Sequence, residues 1–217
     1  MSDHFLTVDA APGRGVDVEL EIKRSRFLTR IRRVTTEDEA RAVIEERRST
    51  QFDARHHCSA FVLGADARTA RSSDDGEPAG TAGIPMLQVL QKNSLTDVVA
   101  VVTRYFGGIK LGAGGLVRAY SDAVAQAVEA VGVRTVQLCR LYRVGVDFAS
   151  AGLMEDQLRG LVLPSGEALV VDGVEWSDKA HIKVAVSAGA EDELNTALAT
   201  LSAGTLTAMP VGERWVG

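Results

Sequence analysis

Cysteine, proline and aromatic residues are all scarce in this 217-residue chain. The two cysteines, Cys58 and Cys139, lie far apart, so no disulfide framework staples the fold, and two buried free thiols suit a reducing cytoplasm. Aromatics make up 5% of the residues, too few for a base-stacking surface of the single-strand-binding type. No apolar run is long enough to span a bilayer. The first residues, Met1 to Leu6, show no basic segment leading into an apolar one, so no signal peptide is expected. A general positive charge is missing as well. The formal net charge is −5, and the imbalance falls entirely on residues 138–217, while residues 1–137 are neutral overall. A dedicated nucleic-acid binder shows a basic excess, so any contact with a polyanion must come from a local patch.

What the chain does have is hydrophobic residues, 46% of the total, enough to build one large or two small cores. It also has a concentrated run of glycine. Residues 107–115 contain Gly107, Gly108, Gly112, Gly114 and Gly115, delivered by the apolar run Val98 to Val102 and followed by a helical pattern. Glycine loses the most backbone entropy on folding, so such a run belongs where the chain turns tightly or approaches something closely. Unpaired N–H groups at the start of the next helix attract anions, and Arg104, Lys110 and Arg118 flank the turn. The spacing is neither a Walker A loop nor a complete dinucleotide fingerprint. Two readings therefore stand side by side: an anion site, or close packing of a strand against a helix. Further basic residues cluster at Lys23, Arg24, Arg26, Arg30, Arg32 and Arg33, and at Arg47, Arg48 and Arg55.

Periodicity divides the chain. Val16, Val18, Leu20 and Ile22 alternate as in a half-buried strand, and Phe27 to Val34 reads as a second, with Phe27 and Ile31 on one face. Thr36 to Glu39 is a capping box opening a helix. Strands are expected at 58–63, 68–72 and 95–103, with a loop at 73–83, a short helix at 85–91 and a long helix ending at Gly132. The last third reads strand (136–148), helix (150–161), strand (167–176), strand (180–187), helix (191–201), strand (205–209). That β-α-β-β-α-β order is the ferredoxin-like arrangement. The expected class is α+β, with domains at 1–136 and 137–217.

Two further clusters could carry chemistry. Asp74, Asp75 and Glu77 lie within four positions of one loop and could bind a hard cation or supply a general base. Alternatively they cap backbone N–H groups in a turned connection. In His56-His57-Cys58, strand geometry puts His56 and Cys58 on one face and His57 on the other. No second Cys or His pair at metal spacing completes a zinc site.

Three segments together carry a resemblance: His57 to Ala60, Ser73 to Gly83, and Val101 to Tyr120. At these the chain resembles the IMPACT family in its two-domain, bacterial YigZ-like form. The resemblance implies an N-terminal domain whose sheet and two helices are shared with a small-subunit ribosomal protein and domain IV of elongation factor G. It implies a ferredoxin-like second domain similar to one in elongation factor G. Eukaryotic relatives regulate translation. Family members commonly carry Asn at the position of His56, which argues against its use as a catalyst. The resulting expectation is a cytoplasmic regulatory binding protein without cofactor or metal, whose partner is the ribosome, RNA or a translation-related protein. Arg104, Lys110, Arg118 and the glycines would meet phosphate, and His57, Asp74, Asp75 and Glu77 would form a possible functional loop. The competing expectation is an enzyme acting on a small phosphorylated or carboxylated molecule, with the Asp-Asp-Gly-Glu loop as base or metal site.

Overall fold

A computed structural model describes residues 3–11 and 13–217; Met1, Ser2 and Pro12 lie outside the described residues. The chain forms two compact units, residues 1–136 and 137–217. Its class is α+β.

The first unit is built on a five-stranded antiparallel sheet. Its strands are β2 (Gly15–Ile22), β3 (Ser25–Arg33), β4 (His56–Leu63), β5 (Thr69–Ser73) and β6 (Val98–Tyr105), arranged β2-β3-β6-β4-β5. The central strand β6 is apolar without alternation because both of its faces are covered. Val98, Ala100 and Val102 join the larger core beneath α2 (Gly83–Lys92) and α3 (Gly112–Val131). Val99 and Val101 join a smaller core beneath α1 (Glu37–Thr50). Phe27 and Ile31 do share the inner face of β3, in the larger core. Thr36 Oγ1 caps α1 by accepting the Glu39 N–H at 3.2 Å, and the Glu39 carboxylate reaches back to the Thr35 N–H at 2.6 Å.

Most of the basic cluster on β3 and α1 is neutralised. Arg26 pairs with Glu19, Arg30 with Asp17 and Glu46, Arg32 with Glu46, Arg47 with Asp17, and Arg48 with Glu45 and Asp75. This charge belongs to intramolecular pairs across the sheet and helix.

In the second unit, β7 (Val133–Val146), α4 (Ala151–Arg159), β8 (Val170–Trp176), β9 (Ala180–Ser187), α5 (Glu191–Ser202) and β10 (Ala208–Val216) follow the ferredoxin-like order. β10 pairs with β7, β7 with β9 and β9 with β8, all antiparallel. The last strand starts later and runs further than the pattern 205–209 suggested. It carries Pro210 and Gly212 by taking a register shift between them, and it pairs with β7 at an edge position where proline is tolerated. One strand escaped the pattern altogether: β1 (His4–Val8), in the first unit. Among the described residues no helix is long and apolar enough to cross a membrane.

Candidate functional site

The glycine run divides between a close approach and a helix start. Gly107 lies against the β2–β3 turn, where a Cβ would sit 2.0 Å from the Arg24 carbonyl carbon, and its N–H donates to Ser25 Oγ at 3.2 Å. Gly108 and Gly112 take positive φ, +85° and +74°. The helix α3 begins at Gly112, earlier than the apolar pattern alone indicated, so Gly114 and Gly115 are helical residues. A Cβ on Gly114 would meet nothing within 4 Å. No side chain hydrogen-bonds the N-terminus of α3 from its cap position, and its first turn contains no acidic residue.

The three carboxylates of the acidic loop are spent on structure. Asp74 accepts the backbone N–H groups of Gly80, Ala82 and Gly83 at 2.8–3.0 Å, holding the loop and the start of α2. Burial would raise its carboxyl, but these three donors outweigh it and leave the pKa below the usual value. Asp75, at φ +41°, accepts the His57 N–H at 2.6 Å and the Arg48 guanidinium at 2.9 Å. Glu77 Oε1 accepts from Arg104 Nη1 at 2.6 Å and from the Tyr120 hydroxyl at 2.8 Å. These engagements leave no cation cage or unpaired base in the loop, and among the described residues no three His, Cys, Asp or Glu side chains gather as metal ligands do. Asp74 is consumed by N–H groups of its own loop, as carboxylates among glycines commonly are, whereas Asp75 and Glu77 are taken by residues that tertiary folding brings to them.

His56 and Cys58 do share a face, and His57 takes the other. Cys58 Sγ lies 3.3 Å from the Tyr120 hydroxyl and 3.0 Å from the Asp74 carbonyl oxygen, and burial pushes its thiol up to about 12, so it is no nucleophile. His57 is buried against Thr103 Oγ1 at 3.1 Å, with its pKa lowered by desolvation. His56 Nδ1 lies 2.9 Å from the Asp75 carbonyl oxygen. A carbonyl only accepts, so Nδ1 carries the proton and Nε2 is the ring's free acceptor in the neutral form.

One end of the first unit contains a cavity of about 750 Å³. Its wall brings together the residues before and at the start of β4 (Asp53 to His56), Glu77 and Pro78 of the acidic loop, the end of β6 with Phe106, and Lys110 to Ala113 at the opening of α3. Of the sequence-based candidates, Arg104, Lys110, Gly112 and Glu77 line it. Gly107, Gly108, Gly114, Gly115, Arg118, His57, Asp74 and Asp75 do not.

Arg104 is not a ready phosphate ligand. It is 7% exposed, paired with Glu77, and its guanidinium carbon lies 5.5 Å from the Phe27 ring centroid and 5.7 Å from that of Phe106. Arg118 is exposed on α3 outside the cavity. The available cations in the wall are instead Lys110 and Arg55, both exposed, with no ion pair among the described residues. Arg55 was visible in the sequence only as part of a basic cluster. Its separation from the paired arginines of β3 and α1 is a tertiary fact. Tyr105 and Phe106 carried no signal except adjacency to the glycine run.

Residues 23–128, which include this entire wall, match the Impact N-terminal domain. The IMPACT family member YigZ of Escherichia coli is 36% identical over 206 residues, covering 93% of this chain and 97% of YigZ. YvyE of Bacillus subtilis, also an IMPACT family member, is 47% identical over 141 residues, 65% of this chain and 65% of YvyE. A crystal structure described as that of a hypothetical protein aligns over 97% of this chain and 98% of its own, at 34% identity and a TM-score of 0.62. The likeness to YigZ runs through both units and nearly the full length of each protein, and on that ground the chain belongs to the IMPACT family.

Proposed function

We propose that this chain is a translation-associated regulatory binding protein whose first unit contacts ribosomal or other RNA. The observation that carries the reading is the convergence of Lys110, Arg55 and the first residues of α3, Gly112 and Ala113, on one cavity wall. Phosphate is the ligand such donors suit, because fixed positive charge and unpaired N–H groups act on the same anion. The family supports the translational setting, since its eukaryotic relatives regulate translation. The acidic balance of residues 138–217 makes the second unit an unsuitable polyanion surface, so the contact is assigned to the first.

Salt-titrated binding to ribosomes and to a structured RNA tests this. Lys110→Ala and Arg55→Ala should each weaken binding and reduce the slope of log affinity against log salt by about one. Arg118→Ala, outside the wall, should change neither. Identical affinities and slopes in all four proteins would remove this wall as the RNA contact, and absence of binding would remove RNA as the partner and leave a translation-related protein in its place.

A second reading, an enzyme acting on a small phosphorylated or carboxylated molecule, draws on the size of the cavity, whose volume suits a small ligand. Asp74, Asp75 and Glu77 are all engaged, so in that reading one of them would have to exchange its present partner for the substrate. Turnover of a phosphorylated substrate that Asp75→Asn abolishes without loss of fold would favour it over RNA binding.

A further inference from the structure

The cavity wall is more than cationic. Phe106, Leu111, Leu116 and Pro78 share it with Lys110 and Arg55. Phe106 is 56% exposed, yet its ring is backed by the Arg104 guanidinium, which is itself held by Glu77 and packed on Phe27. A solvent-facing ring supported in this way is a fixed platform, needing little ordering when a flat group stacks on it. Two carboxylates also line the wall, and both are engaged: Glu77 by Arg104 and Tyr120, and Asp53 by the Tyr105 hydroxyl at 2.8 Å. His56, whose Nδ1 faces the Asp75 carbonyl, turns Nε2 toward a donor on a base or sugar as an acceptor of the neutral ring.

Phosphate-binding groups, a supported aromatic ring and a neutral acceptor in one cavity match the three parts of a nucleotide. A base-paired helix presents its phosphates outward and keeps its bases stacked, so it offers no ring to Phe106 and cannot enter a hollow of about 750 Å³. We infer that the cavity takes a single unpaired nucleotide of RNA, with its phosphate at Lys110 and the start of α3 and its base on Phe106. This rests on the RNA-binding reading above and narrows it. It also accommodates the low aromatic content, because one supported ring suffices for one nucleotide where a single-strand-binding surface needs several.

The test uses the full chain and a fluorescently labelled RNA ten-mer, presented single-stranded or annealed to its complement, with ribosomes as a parallel arm. The single strand should bind at least tenfold more tightly than the duplex at equal salt. Phe106→Ala should weaken single-strand binding by about tenfold while leaving the salt slope unchanged, because it removes stacking and no charge. Phe106→Leu, which keeps an apolar side chain, controls for folding, and melting temperature is read for both variants. Uridine monophosphate should displace the single strand at a concentration at least tenfold below that of inorganic phosphate. Equal binding of single strand and duplex, an unaltered affinity in Phe106→Ala, or equal competition by the two anions would overturn the unpaired-nucleotide assignment while RNA binding survives. Absence of binding to the oligonucleotides and the ribosomes alike would overturn the RNA reading itself.

Discussion

Arg104 Nη1 and Glu77 Oε1 lie 2.6 Å apart with both side chains almost wholly buried. The pair joins the end of β6 to the loop that follows β5, and Tyr120 brings α3 to the same carboxylate. Three separated parts of the sequence thus meet at one oxygen atom. The arginine that sequence pattern nominates as a phosphate ligand is the one that holds the cavity wall in shape.

A buried ion pair that loses one member leaves an uncompensated charge, and the loss typically costs about 3–5 kcal/mol. Arg104→Ala should therefore destabilise the first unit by that amount in chemical denaturation, with Glu77→Ala close behind. Arg104→Lys should recover only part of the loss, because a lysine cannot reproduce the broad guanidinium contact with the Phe27 and Phe106 rings. An exposed, weakly coupled pair would cost no more than about 1 kcal/mol. A loss of that size for Arg104→Ala would show that the pair is not a keystone.

The glycines separate cleanly by mechanism. Gly107→Ala would push a methyl group into the backbone of Arg24 and should destabilise by several times the ~0.5 kcal/mol typical of surface changes. Gly114→Ala meets open space on a helix and should be neutral or stabilising by up to about 1 kcal/mol. Melting temperatures of the two variants should move in opposite directions, or Gly114→Ala should stay at wild type. A large loss at Gly114 would mean that its lack of a side chain serves a partner or ligand rather than the fold.

Much of the fold was legible because its signals are local. Alternation on β2, the capping box of α1, the continuous apolar run of β6 and the order of the last six elements need no knowledge of distant residues. β1 was not legible, since five residues without clear alternation look like a coil until a partner strand is present. The site was legible in part. Lys110 and Gly112 could be found from the glycine run, but Arg104 is set apart from Lys110 by burial against Phe27 and by pairing with Glu77, a residue 27 positions away. The same holds for Asp74 and Asp75, whose acceptor roles depend on where the chain folds back over α2 and β4.

The two units should fold separately. The apolar clusters of the first unit lie between Leu6 and Val131, and that of the second between Tyr142 and Ala208, so no buried cluster is divided by a cut after residue 136. Fragments 1–136 and 137–217 should each unfold cooperatively in denaturant, with the slopes expected for their smaller buried surface. If neither fragment shows a transition while the full chain does, the units depend on one another.

His57 supplies the pH dependence most open to measurement. Its imidazole is 6% exposed, and burial lowers its pKa from the ordinary 6.5; Asp75 opposes that shift, while Arg48, Arg47 and His56 add to it. The unfolded chain therefore binds a proton at pH values where the folded chain does not. Stability from this site is complete above the unfolded value near 6.5 and falls as pH drops from there through the lower folded value. Asp74, also lowered, loses its contribution only at more acidic pH, below the ordinary carboxylate value of 3.8. Denaturation between pH 7.5 and 5.0 should accordingly show wild type losing stability with falling pH. His57→Asn, which keeps a polar group near Thr103 and cannot titrate, should lose less over the same range. Parallel curves for the two proteins would mean that His57 carries the same proton affinity folded and unfolded, and that burial beside Thr103 does not govern its charge.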